Sequence, residues 1–242
     1  MSNRSGLSRA CALAWGIGCA GAACGGEPAE PVQAGTSTGA EMAQPRGQGM
    51  QVTGLMGTIP ERKIQGALEP KLPRFAQCFA RGAGEVEFIS GAMEFYFRVG
   101  LSGEVEWVYP RKSTVGHRAT ERCVLDLAAV TRFPEPKGGG PAEFAWSFEM
   151  GSTDARPPVE WDAAQVEPAV AAAGDAIAAC APGGERFEVT AYVSPGGKVL
   201  AAGAAAPSNE AAAQLDCVVD AVQALALPDP GSYPAKVTFA VP

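Results

Sequence analysis

Residues 99–136 recur, without a gap, 94 positions further along the chain. Cys123-Val124-x-Asp126 returns as Cys217-Val218-x-Asp220. Ten residues past each cysteine stands an apolar residue followed by Pro-acid-Pro: Phe133-Pro134-Glu135-Pro136, then Leu227-Pro228-Asp229-Pro230. Gly103-x-Val105 returns as Gly197-x-Val199, and Val99 as Val193. Self-similarity constrains a fold more tightly than composition does, because the same local signals must build the same supersecondary unit twice. The chain is therefore expected to carry two copies of one module.

The periodicities within each copy predict its elements. Ile64, Leu68, Leu72, Phe75 and Phe79 step by 4, 4, 3 and 4, which is one face of a helix with Cys78 beside it. Pro70 and Pro73 should kink or split that helix. Phe95, Phe97, Val99 and Leu101 alternate with Tyr96, Arg98 and Gly100, a half-buried strand. Ser102-Gly103 makes a turn, and Val105, Trp107 and Tyr109 alternate with Glu104 and Glu106 in a second strand of a hairpin. A helix follows from about Thr120, its expected N-cap, to Thr131, with Pro134 past its end. Phe144, Trp146 and Phe148 form a third strand. The second copy predicts a helix over 163–180, strands over 187–193 and 198–202, a helix over 210–225 and a strand over 236–241. There alanine replaces many aromatics, so its core should be thinner and lean on the first copy. The expected fold class is α+β. Two tandem two-layer modules, 52–150 and 159–242, each run helix-strand-strand-helix-strand with a three-stranded antiparallel sheet. Residues 151–158 are the link between them.

The N-terminus reads as an export signal over 1–23. Arg4 and Arg9 precede a weakly apolar run that ends at Ala22-Ala23-Cys24. The segment resembles a bacterial lipoprotein signal, with lipid on Cys24, although Gly21 stands where such signals carry Leu. Cys19 is a second candidate, and an ordinary cleaved signal is the alternative. Residues 24–51, rich in Gly, Pro, Ala, Ser, Thr and Gln, are expected to be a flexible tether. No segment reaches the 18 apolar residues of a membrane span. Four cysteines remain, two per copy. In an oxidising compartment an even set predicts disulfides, here Cys78–Cys123 and Cys180–Cys217. Zinc is disfavoured because there is no CxxC spacing and only one histidine.

Charge is distributed unevenly. Residues 52–150 hold 12 basic and 12 acidic side chains, whereas 160–242 hold 3 basic and 10 acidic, a balance of −7. An acidic surface repels phosphate backbones, which argues against nucleic acid as a partner. No G-x-S-x-G, HExxH, P-loop or dinucleotide glycine pattern is present, and no cofactor is expected. The single histidine, His117, reads as a solvated loop residue, so Ser-His-Asp or Cys-His chemistry is not expected. Gly138-Gly139-Gly140 precedes a strand, which marks a turn. Asp126 and Asp220 share a position in the two copies and suggest a common structural hydrogen bond. Trp107, Trp146 and Tyr109 read as core. The expected recognition feature is the edge strand carrying Glu104, Glu106 and Tyr109, by pairing with a partner's strand.

Several elements of the first copy are similar to a known family. They are Cys78-Phe79 after a proline-bearing helix, the Phe97-x-Val99 to Gly103-x-Val105 hairpin, Cys123-Val124 opening a helix, Phe133-Pro134-x-Pro136, and the closing aromatic strand to Phe148. Together, over about 55–150, they resemble the AgmX/PglI C-terminal domain family of myxobacterial gliding-motility and envelope proteins, a TonB C-terminal-like module. The second copy departs from it at Ala181 and Leu227. The resemblance implies a non-catalytic envelope interaction module that binds an envelope protein or the cell-wall layer. With a lipid anchor, the expected location is the outer membrane, facing the periplasm. A self-associating structural lipoprotein is the alternative, and an envelope hydrolase the remote one.

Overall fold

The computed structural model describes residues 56–151 and 156–242. The expected signal, Cys19, Cys24 and the tether lie outside the described residues. Two helices come first, α1 (Glu61–Leu68) and α2 (Leu72–Gly82), joined by a 3₁₀ turn over Glu69–Lys71 that contains Pro70. A proline removes a backbone donor, so the helix splits where the two prolines were expected to split it. Strands β1 (Ser90–Val99) and β2 (Val105–Ser113) form a hairpin, followed by α3 (Arg118–Ala129) and β3 (Ala142–Gly151). The sheet order is β2-β1-β3, and both pairings are antiparallel. Met93, Phe95, Phe97 and Val99 alternate inward along β1 into the core cluster that Phe75 of α2 shares. Phe75 lies 6.5 Å from Phe95 and 5.1 Å from Phe148 between ring centroids, and aromatic pairs at such distances add about 0.5–1.5 kcal/mol beyond the area they bury.

The second half begins with β4 (Val159–Trp161). It continues with α4 (Glu167–Ala172), α5 (Gly174–Ala178), β5 (Phe187–Val193), β6 (Val199–Ala205), α6 (Leu215–Gln223) and β7 (Ala235–Val241). Its sheet is four-stranded, β4-β7-β5-β6, with β4 parallel to β7 and the other pairs antiparallel. The expectation of a three-stranded antiparallel sheet here is corrected. Three residues are too few to show alternation, and Val159–Trp161 pairs because the outer edge of β7 was unfilled. The helix expected over 163–180 is also in pieces, a 3₁₀ turn followed by α4 and α5, because Pro168 and Gly174 interrupt it.

The repeated motif residues make the same contacts in both halves. Gly103 (φ 79°) accepts a hydrogen bond from the Phe133 N–H at 2.9 Å, and Gly197 (φ 80°) accepts one from the Leu227 N–H at 2.9 Å. A side chain on either glycine would run into the carbonyl of the residue that bonds it. The cysteine pairs stand at disulfide distance, with Cα separations of 5.8 Å for Cys78–Cys123 and 5.6 Å for Cys180–Cys217.

Candidate docking surface

The two edges of the first sheet differ. Along β2, Pro110 lacks an N–H and sits at a register irregularity, as prolines in sheets do at edges and bulges. Its carbonyl is not free, because the Ala206 N–H donates to it at 2.9 Å. Tyr109 is only 6% exposed and joins the core of the second half, with Tyr96 and Trp107 packed against the same cluster. Burial pushes the Tyr109 phenol up. Glu104 pairs with Arg132 at 2.6 Å and Glu106 with Arg98 at 2.8 Å, and all four are at least partly exposed. The structure therefore does not bring Glu104, Glu106 and Tyr109 together as one open edge. Small Ala and Gly side chains along β6 let the second half come close enough to cover the Tyr109 end.

The opposite edge is β3. It pairs with β1 residue by residue from Ala142 to Gly151. Among the described residues its other side meets only Gly57, at Ala142. Phe144, Trp146, Phe148 and Met150 face the helix side and are half-buried, while Ala145, Ser147 and Glu149 are exposed. A long, unpaired edge beside half-buried aromatics can accept another strand, whose alternate apolar residues would extend the core. Nothing in the sequence told the two edges apart, since their status depends on where the second half packs.

Between the halves lies a buried polar cluster that the sequence did not reveal. Glu121, in the first turn of α3, is fully buried. It accepts from the Ser113 hydroxyl at 2.6 Å and the Ala204 N–H at 3.1 Å, while Arg118 approaches to 4.0 Å. Burial pushes its carboxyl up, against the opposing pull of these partners. Gly203 leaves room for that carboxylate, because a Cβ there would collide with it. Tyr192 donates to the Ser90 carbonyl at 3.1 Å and accepts from the Ser90 N–H at 3.2 Å, and burial pushes its phenol up to about 12. Lys236 reaches the same carbonyl at 2.8 Å, and burial lowers its ammonium. The only sequence signal for this contact was the run of Ala and Gly in β6.

His117 is a correction. It is not a solvated loop residue but 4% exposed. It, rather than Thr120, caps α3: its Nδ1 accepts from the Thr120 N–H at 3.3 Å, and its Nε2 lies 3.2 Å from Glu85. Gly116 (φ 68°) packs on Thr190 and Tyr192 of the second half, and that packing turns the loop inward. Asp126 and Asp220 are exposed and make no side-chain hydrogen bond or ion pair among the described residues, so the expected shared bond is absent. Trp146 is half-buried, and Gly138 and Gly139 adopt positive φ in the expected turn. Among the described residues, no group of three or more His, Cys, Asp or Glu is placed to hold a metal, and no helix is long and apolar enough to cross a membrane. No protein-family model, curated protein or solved structure matches this chain.

Proposed function

We propose that the chain is a non-catalytic, lipid-anchored envelope protein built from two copies of one AgmX/PglI-type, TonB C-terminal-like module, and that it recognises an envelope protein by strand addition. The observation that carries this reading is the edge of β3, which beyond the Gly57 bridge at Ala142 is paired on one side only among the described residues and is bordered by Phe144, Trp146 and Phe148. The occupant that fits is an extended segment with apolar residues at every second position. Main-chain hydrogen bonds would supply affinity, and the aromatic border would choose the side chains. The role of His117 as a cap explains the single histidine without catalysis. The twice-used glycine-to-Phe/Leu corner supports the two-copy reading. The signal-like N-terminus supports an outer-membrane anchor at Cys24.

A crosslinked pull-down of the full-length tagged protein from membranes tests this. One dominant envelope protein should be recovered, and it should be lost in Ala145→Lys with Ser147→Lys, since lysines on an edge strand oppose pairing. Recovery of the same partner from that variant removes β3 as the docking edge. Cys24→Ser should release the protein from the membrane fraction, and retention would sink the anchor assignment.

A further inference from the structure

The helix layers of the two halves carry opposite charge, and most of that charge has no ion-pair partner among the described residues. Arg62, Lys63, Lys71, Arg74 and Arg81 of the α1–α2 run form no ion pair among the described residues, and only Glu61 and Glu69 oppose them along it. In contrast, Arg98, Arg111, Lys112, Arg118, Arg122 and Arg132 are all paired. In the second half, residues 162–185 and 207–225 contain seven acidic side chains and no Lys, Arg or His. Among the described residues only Asp216 of these is ion-paired, with Arg118 at 2.8 Å and Arg122 at 3.5 Å. Glu167, Asp175, Glu210 and Asp220 are exposed without one.

We infer that the α1–α2 face of one copy docks on the acidic helix face of the second half of another copy. Charge complementarity selects this occupant. Five cations along α1–α2, with no ion pair among the described residues, meet acidic helices whose one ion-paired member among the described residues is Asp216, and the same pairing chemistry already operates within the chain at Arg118 and Asp216. The basic face is also shaped to receive a surface. An open groove of about 590 Å³ runs beside Arg74 and Arg81, with Glu85, held by His117, and Asp126 on its other border, and a separate one of about 680 Å³ lies beside Arg62 and Lys63. Because the two faces are different surfaces, the contact is head-to-tail, and copies add in a row unless the rotation closes a ring. This inference goes beyond strand addition at β3 and uses none of its residues, so either can fail without the other.

Sedimentation velocity of the full chain carrying Cys24→Ser, at rising protein concentration, tests it. At low salt, species larger than the monomer should grow with concentration, and salt near 0.5 M should dissociate them by screening. Arg74→Glu with Arg81→Glu should weaken association about tenfold or more, as should Glu167→Lys with Asp175→Lys. Mixing these two variants should restore it, since each then offers what the other lacks. All four positions are exposed, and unchanged far-UV circular dichroism of each variant separates lost docking from lost fold, a check that matters most at Arg81, which donates to Cys78 and Cys123. A monomer at every concentration in low salt, or association that survives both reversals, overturns the inference.

Discussion

Glu121 shows how far a single side chain can depart from its sequence signal. An acid in a first helical turn is ordinary and reads as solvent-exposed, favoured there by the helix dipole. Here it is sealed between the halves, with a raised carboxyl pKa caused first by burial. A folded value above the unfolded value of about 4.3 gives a contribution that is fully present below that pH and is lost as pH rises through the folded value. Urea midpoints should therefore fall with rising pH more steeply in the native chain than in Glu121→Gln. Parallel curves for the two proteins would show that Glu121 is not the group responsible. Gly203 is its counterpart. Gly203→Val would drive a side chain into the carboxylate and should cost about 2–4 kcal/mol in guanidinium unfolding. A loss under about 1 kcal/mol would mean that the close approach of β6 to α3 is not needed. His117 belongs to the same scale: its inward turn depends on Gly116 packing against Thr190 and Tyr192, contacts 74 and 76 positions away in sequence.

At the scale of elements, local periodicity carried most of the information. The Phe75 face of α2, the inward alternation of β1 from Met93 to Val99 and the aromatic alternation of β3 form where their spacing placed them, whereas Leu101, expected to continue β1, lies exposed in the turn beyond it. Strand ends were less legible. β2 runs on through Pro110 to Ser113, because an edge position and a bulge tolerate a missing N–H. β4 was illegible because three residues carry no period. Cysteine spacing predicted pairs that the helices then bring within reach, α2 to α3 and the chain after α5 to α6. Closing the 45-residue separation between Cys78 and Cys123 is worth about 4 kcal/mol in the chain-entropy account. Cys78→Ala with Cys123→Ala should lower the unfolding free energy by roughly 2–4 kcal/mol. Peptide mapping without reductant should link Cys78 to Cys123 and Cys180 to Cys217, and a link between the halves would contradict both the geometry and the repeat.

At the scale of the molecule, the second half does not complete its core alone. Tyr109 enters it from β2, and Tyr96 and Trp107 pack on its border. This fits the alanine-for-aromatic exchange seen in its sequence. With Glu121, Tyr192 and Lys236 also bridging the halves, residues 56–242 should unfold in one transition whether followed by tryptophan fluorescence or far-UV circular dichroism. Two separated transitions would show that the bridging contacts contribute little. The sequence by itself determined the α+β class, the helices and strands with a clear period, the glycine corners and the cysteine pairing. Those signals are local: they depend on spacing within a few turns, on proline, and on glycine at positive φ. Only the tertiary structure decided which strand edge is covered, which carboxylate is buried, and that the lone histidine caps a helix. Each of those follows from where the second half packs on the first, and that placement rests on small residues in β6 whose effect is to leave space, which no periodicity records.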